Sequence, residues 1–211
     1  LTVSPTLSTR YSDEAPKTMP SKVPSTTART VTLDNGTKLG FDKLLIATGS
    51  QPVRPPISGM DSPGVHPCWT LENARAIMAL AKPGARVLQM GAGFIGCIIM
   101  EALAARGVEL SVVEMGDRMV PRMMGPTAGG MIRDWCEKKG VKVYTGTKVE
   151  AIERAGNESG GIVGKLVSAM GLGSSEPATG LRVKLSDGQV VEADLVISAT
   201  GVRPAIGFLK D

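Results

Sequence analysis

Hydrophobic and polar positions change period several times along the chain, and each change predicts an element. Residues 1–30 carry no period at all. Sixteen of those thirty are Ser, Thr or Pro, so residues 1–28 read as an irregular arm or linker. From Arg29 the pattern alternates to Leu33. Asp34-Asn35-Gly36 is a turn signal, and alternation returns over 37–41, which predicts a hairpin. The apolar run 43–50 ends in Gly49-Ser50 and reads as a short buried strand. Pro52, Pro55, Pro56, Pro63 and Pro67 then make 51–67 an extended connection, the best candidate for a crossing between domains. Thr70 is placed to cap a helix running to Leu80.

After residue 85 the pattern becomes strand–helix–strand. Residues 86–90 read as a strand. Ile95, Ile98, Ile99, Ala102 and Leu103 fall at i, i+3, i+4, i+7 and i+8, the expected buried face of a helix that stops at Gly107. A strand follows over 108–113, a helix over 127–139 and a strand over 141–144. Short alternating strands are expected at 148–153, 162–167, 181–185 and 190–192, with a floppy tip at 169–180 and a final strand at 194–198.

These elements predict an α/β protein. Its main body is a Rossmann-like three-layer domain with a parallel sheet and an antiparallel β-meander. One echo frames that body: Leu45-Ile-Ala-Thr-Gly49 and Ile197-Ser-Ala-Thr-Gly201 both end a strand in Ala-Thr-Gly. They bracket the strand–helix–strand block, as two crossings into an inserted domain would.

Charge and composition narrow the function. Lys and Arg number 24 against 20 acidic residues, a net charge of +4 with no run of five like charges, so a nucleic-acid footprint is not expected. Aromatics are 3%, too few for a base-stacking platform. No apolar run reaches the length of a membrane span. Cys68, Cys97 and Cys136 are far apart and odd in number, and His66 is the one histidine. A disulfide framework, a redox cysteine pair and a metal site are therefore not expected, and reduced thiols fit a cytoplasmic protein. The first residue is Leu, so the sequence reads as an excerpt of a longer protein.

The chemistry sits in Gly91-Ala92-Gly93-Phe94-Ile95-Gly96, a G-x-G-x-x-G motif directly after a predicted strand and opening a predicted helix. The first glycine makes a tight turn, the second lets a diphosphate approach the backbone, and the third lets helix and strand pack closely. The helix start offers unpaired N–H groups and partial positive charge to that diphosphate. Glu114 ends the next strand, 18 residues beyond Gly96, where an acid accepts hydrogen bonds from an adenosine ribose. A carboxylate there favours NADH over NADPH. Arg118 and Arg122 follow, and either could reach a 2′-phosphate or an adenine-side phosphate. Tyr144 and Lys148 have the spacing of a helical catalytic pair but lie on a predicted strand interrupted by Gly146, so no catalytic role is expected of them.

Taken in order, Leu44-Leu-Ile-Ala-Thr-Gly-Ser50, Pro63-Gly64-Val65, Thr70-Leu-Glu72, the Gly91–Gly96 motif, Val113-Glu114 with Pro121-Arg122, and Ala199-Thr-Gly-Val-Arg-Pro204 resemble the FAD-dependent pyridine nucleotide-disulfide oxidoreductase superfamily. The nearest resemblance is to its ferredoxin, rubredoxin and nitrite-reductase flavoprotein branch. The resemblance implies an NAD-binding domain at 66–195 inserted into an FAD domain, of which 29–65 and 196–211 are remnants at the two crossings. It implies that Gly91, Gly93, Phe94, Ile95, Gly96 and Glu114 line NAD, with Arg122 near the adenosine and Gly201 near the nicotinamide half. It further implies hydride delivery from NADH to FAD and onward transfer to a further acceptor, such as a redox partner protein. The alternative is a stand-alone NAD(H)-binding module without flavin chemistry. The FAD fingerprint and the later Gly-Asp segment of the family are absent, so this chain is expected not to hold FAD tightly without the remainder of its flavoprotein. Where the branch carries Glu two residues after the third glycine, this sequence has Ile98. Either the nicotinamide half is less firmly held, or Ile98 is simply part of the helix core.

Overall fold

The computed structural model describes residues 29–33, 35–155 and 180–209. They fall into two compact units. The larger is Gln51–Arg203, and the described residues before and after it belong to the smaller. The strand expected at 162–167 and the tip at 169–180 lie outside the described residues, apart from Gly180.

In the smaller unit, strands Thr30–Thr32 (β1) and Lys38–Gly40 (β2) form the expected antiparallel hairpin, with Thr30 opposite Gly40. Thr48 Oγ1 donates to the Ala205 carbonyl at 2.7 Å, and the Ala205 N–H returns a bond to the Gly49 carbonyl at 2.8 Å. The strand expected at 43–50 does not form over its apolar half. Leu44, Leu45 and Ile46 are exposed and make no strand pairing among the described residues. An apolar run becomes a buried strand only where neighbours cover it. Short strands Ser50–Pro52 (β3) and Val202–Pro204 (β12), most of whose residues belong to the larger unit, pair with each other.

The larger unit is built on a parallel sheet. Strands Val65–Pro67 (β4), Arg86–Met90 (β5), Glu109–Glu114 (β6), Lys142–Thr145 (β7) and Leu195–Ser198 (β11) lie in the order β4-β11-β5-β6-β7. Chain order therefore reverses between β5 and β11. Helices Leu71–Leu80 (α1), Phe94–Ala104 (α2) and Pro126–Lys138 (α3) cover one face. They send Ile77, Met100, Leu103 and Cys136 against Val87, Val112, Leu195 and Ile197. Strands Val149–Arg154 (β8), Leu181–Leu185 (β9) and Val190–Ala193 (β10) form an antiparallel meander over the other face. There Leu181, Val183 and Leu185 pack on Leu88, Met90, Val113 and Val196. The result is the predicted three-layer α/β architecture. Alternation explains it: successive residues of β5 point to opposite faces, and both faces are covered.

Three local features follow from the sequence. Thr70 caps α1 by accepting from the Asn73 N–H at 3.3 Å, while Asn73 Oδ1 accepts from the Thr70 N–H at 3.0 Å, a reciprocal capping box. Pro126 occupies the first turn of α3, where its missing N–H costs nothing. Strand β4 lies in the proline-dense stretch, where no strand is expected from the sequence. Among the described residues it sits at the sheet edge, pairing only with β11, and an edge tolerates Pro67.

Arg86, at the start of β5, pins the corner between β10 and β11. Its side chain donates to Asp194 at 2.7 and 3.2 Å and also pairs with Glu192, while its N–H donates to Asp194 at 2.9 Å. The Arg86 hydrogen bond holds the Asp194 carboxyl below the usual carboxylate range, against an opposing effect of burial. A depressed folded-state value stabilises the fold above the unfolded carboxylate range and is lost as pH falls through the folded value. Asp194→Asn is expected to melt at a lower temperature at neutral pH, with the gap to the unaltered chain closing below about pH 4. Melting curves across pH check this; a gap that stays constant into acid would contradict it.

Candidate functional site

Ligands of open α/β sheets sit beyond the carboxyl ends of the strands, where strand order reverses. Here that point lies between β5 and β11. A cavity of about 500 Å³ opens there, within the larger unit. Every site residue expected from the sequence lines it: Gly91, Gly93, Phe94, Ile95, Gly96, Glu114, Arg122 and Gly201.

Each glycine of the motif has its own local reason. Gly91 adopts φ +95°, and a Cβ there would stand 2.6 Å from the Ala199 carbonyl oxygen, so the turn after β5 is packed directly against the end of β11. A Cβ on Gly96 would meet the Gly91 carbonyl oxygen at 2.6 Å and Gln89 Nε2 at 2.9 Å, so only glycine lets α2 start this close to the strand. Gly93 differs: it has ordinary extended geometry, φ −73° and ψ −175°, and nothing lies within 4 Å of where its Cβ would be. Gly93 caps α2 with no side chain, so the first-turn N–H groups are left to the cavity. This cradle, open at its middle glycine and backed by a helix start, fits the diphosphate of a dinucleotide.

Glu114 faces the cradle from the end of β6. Its Oε2 accepts from the Ala92 N–H and its Oε1 from the Gly116 N–H, each at 2.8 Å. The carboxylate thus ties the glycine turn to the loop after β6, and each oxygen keeps a lone pair for a ligand hydroxyl. The two arginines part company. Arg118 is committed to the loop: it donates to the carbonyls of Met124 (2.8 Å) and Pro121 (3.3 Å) and pairs with Asp117. Arg122 is exposed, lines the cavity and has no partner among the described residues.

Sequence reasoning did not find the remaining walls. Val53, Pro55 and Ile57 line one side, and Met115, Val120 and Met123 another. The first three come from the proline-dense stretch. Its return over the sheet is marked by the Val53 N–H donating to the Gly201 carbonyl at 2.9 Å and by Thr200 Oγ1 donating to the Val53 carbonyl at 3.2 Å. The repeated Ala-Thr-Gly was the available signal, since it places residues 199–201 at a crossing. The expected buried face of α2 is corrected. Gly96, Met100 and Leu103 are buried, while Ile95 and Ile98 are 59% and 53% exposed and Ala102 is exposed. Ile98 is therefore not core, and the packing explanation for it fails.

The cysteines are not poised for chemistry. All three are free thiols. Burial pushes Cys97 up to about 11, with Cys136 and the Glu114 carboxylate adding to the effect, and burial raises Cys68 and Cys136 as well. A thiol so raised stays protonated and unreactive near neutrality. Tyr144 lies on β7 while Lys148 lies beyond that strand, so the two share no helical face. Among the described residues no helix is long and apolar enough to cross a membrane.

Fold and cradle together define an α/β dinucleotide-binding architecture. The family model described as pyridine nucleotide-disulphide oxidoreductase matches residues 17–211, and the chain belongs to that family. It is 34% identical over 178 residues to an NADH oxidase of Methanocaldococcus jannaschii, covering 83% of this chain and 35% of the relative. It is 28% identical to the ferredoxin–NAD(+) reductase component of the biphenyl dioxygenase system of Paraburkholderia xenovorans, covering 84% of this chain and 38% of that protein. Among solved structures it is similar to a water-forming NADH oxidase from Lactobacillus brevis bound to NADH. That match has TM-score 0.66 and 27% identity and covers 87% of this chain and 37% of the other. The chain thus spans between 35% and 38% of the length of these three relatives.

Proposed function

We propose that this chain is the NAD(H)-binding portion of a flavin-dependent oxidoreductase, delivering hydride from NADH to FAD held by the remainder of the flavoprotein. The observation that carries this reading is the Gly91–Gly96 turn, packed on Ala199 at the sheet's reversal point and open at Gly93. Residues 66–195 form the nucleotide-binding body. Residues 29–65 and 196–211 are the crossings to the flavin domain, and they lend Val53, Pro55, Ile57 and 199–201 to one wall of the cavity. The glycine cradle fits the diphosphate of a dinucleotide.

The chain's own residues bind and orient. The N–H groups at the start of α2 take the diphosphate, Glu114 takes the adenosine ribose hydroxyls, and Arg122 meets the adenine-side phosphate. Gly201 leaves room at the nicotinamide end, where a Cβ would meet nothing within 4 Å. Ile98 puts an apolar side chain on the exposed face of α2, beyond Phe94 and Ile95. When bound, NADH supplies a hydride, and its acceptor is the flavin of the whole protein. From there electrons pass to a further acceptor, and the electron-transfer names of relatives support a redox partner protein in that place. The free thiols fit a reducing, cytoplasmic setting.

The Glu114 carboxylate would lie against the 2′-phosphate of NADPH, so NADH is expected to bind about tenfold more tightly, a difference of about 1.4 kcal/mol. Arg122→Ala is expected to weaken both dinucleotides. Calorimetric titration of the unaltered chain and the variant tests this. NADPH binding more tightly than NADH, with Arg122→Ala abolishing the advantage, would assign specificity to Arg122 instead.

A further inference from the structure

We infer that Gln89 is a positioning residue for the dinucleotide turn, holding the Gly91–Ala92 peptide from beneath while Glu114 holds it from the other side. The inference rests on the reading of the cavity as a dinucleotide site.

Gln89 is 0% exposed and lies on β5, opposite Val112 of β6 and Ile197 of β11. Its layer is otherwise apolar. Nε2 donates to the Gly91 carbonyl at 2.9 Å and to the Gly96 carbonyl at 3.0 Å, which uses both amide hydrogens. Oε1 is buried without a partner. The reverse orientation of the amide would set Oε1 against two carbonyl oxygens, so the two glycine carbonyls fix which way it points. A side chain that only filled space here would be apolar: the buried, unpaired Oε1 is a cost, set against the two carbonyls that Nε2 satisfies.

The geometry supplies the role. In a trans peptide the C=O and N–H point in opposite directions. The Gly91 C=O points down to Gln89, and the Ala92 N–H points across to Glu114 Oε2 at 2.8 Å. One peptide plane is therefore gripped at both ends. Gly91, at φ +95°, is free to swing that plane if either grip is lost. The second hydrogen bond of Nε2 reaches the first turn of α2 at Gly96, where the missing Cβ makes room for the amide itself. Gln89 thereby locks the end of the strand, the turn and the helix start into one arrangement, and it sets the direction in which the turn presents its N–H groups.

Gln89→Met keeps length and removes the donor; Gln89→Leu serves if the Met variant does not fold. NADH is titrated calorimetrically into the 211-residue chain and the variant, and amide hydrogen exchange at Ala92 is measured without ligand. The expected result is at least a tenfold rise in the NADH Kd and faster Ala92 exchange, in a variant that is still fully folded at the temperature of the titration. Unchanged affinity and unchanged Ala92 exchange would overturn the inference, as would an affinity loss that merely tracks a lowered melting temperature. If the unaltered chain binds no NADH while the variant still exchanges Ala92 faster, the functional reading fails and the grip on the turn stands.

Discussion

Gly91→Ala is expected to unfold the site and lose dinucleotide binding together. Two effects add. The residue holds φ +95°, which an L side chain adopts only with strain, and its Cβ would sit 2.6 Å from the Ala199 carbonyl oxygen. That oxygen cannot give way cheaply, because the Ala199 N–H is bonded to the Met90 carbonyl at 2.8 Å and the Gly91 N–H to the Val113 carbonyl at 2.8 Å. Separating the ends of β5 and β11 is the remaining way out. A loss of about 2–4 kcal/mol is expected, in the range of severe backbone and overpacking changes. Urea unfolding checks it, and a variant as stable as the unaltered chain would show that the two strand ends are not packed as described.

Glu114→Ala is expected to have the next largest effect, and it acts on function more than on folding. The carboxylate gathers the Ala92 and Gly116 N–H groups, so its removal frees both loops at the mouth of the cavity. Glu114 itself lines the open cavity, so water can enter the space its carboxylate leaves, which limits the loss of stability. A ligand loses the ribose contacts and the preset turn together. NADH affinity is expected to fall by about 2–3 kcal/mol, the range of hydrogen bonds to a charged group. The preference over NADPH is expected to narrow by about 1 kcal/mol, most of the tenfold advantage. Paired calorimetric titrations measure both; an unchanged preference would remove Glu114 from the choice between dinucleotides.

The part of the fold that local rules govern was legible in the sequence. Strand, glycine turn and helix around Gly91–Gly96 carry their own steric reasons, and the Thr70 cap and the Asn35-Gly36 turn theirs. The buried face of α2 was legible only in part, at Ile99 and Leu103, because Phe94–Ala104 is apolar nearly all round and offers the periodicity more than one solution. The fold takes the one that puts Gly96 inward, since nothing larger fits 2.6 Å from the Gly91 carbonyl oxygen. That constraint leaves Ile95 and Ile98 outside. The apolar run at 43–50 shows the opposite error: its composition is that of a buried strand, but burial is decided by what lies alongside. In the site, the residues that touch the cradle through backbone chemistry were found. Val53, Pro55 and Ile57 reach it only by the return of a proline-rich stretch over the sheet, and Gln89 reads in sequence as one polar residue in an apolar strand.

Whether a dinucleotide lays its diphosphate against Gly93 is measured most directly by an NADH titration of the chain beside Gly93→Ala. Alanine fits the backbone there, with φ −73° and nothing within 4 Å of its Cβ. Stability is expected to stay within about 1 kcal/mol, the scale of a change at a helix cap. The added methyl group would stand where the diphosphate must come closest. Saturable NADH binding by the unaltered chain is expected, with at least tenfold weaker binding by an equally stable Gly93→Ala. Equal affinity in two equally stable proteins would contradict it.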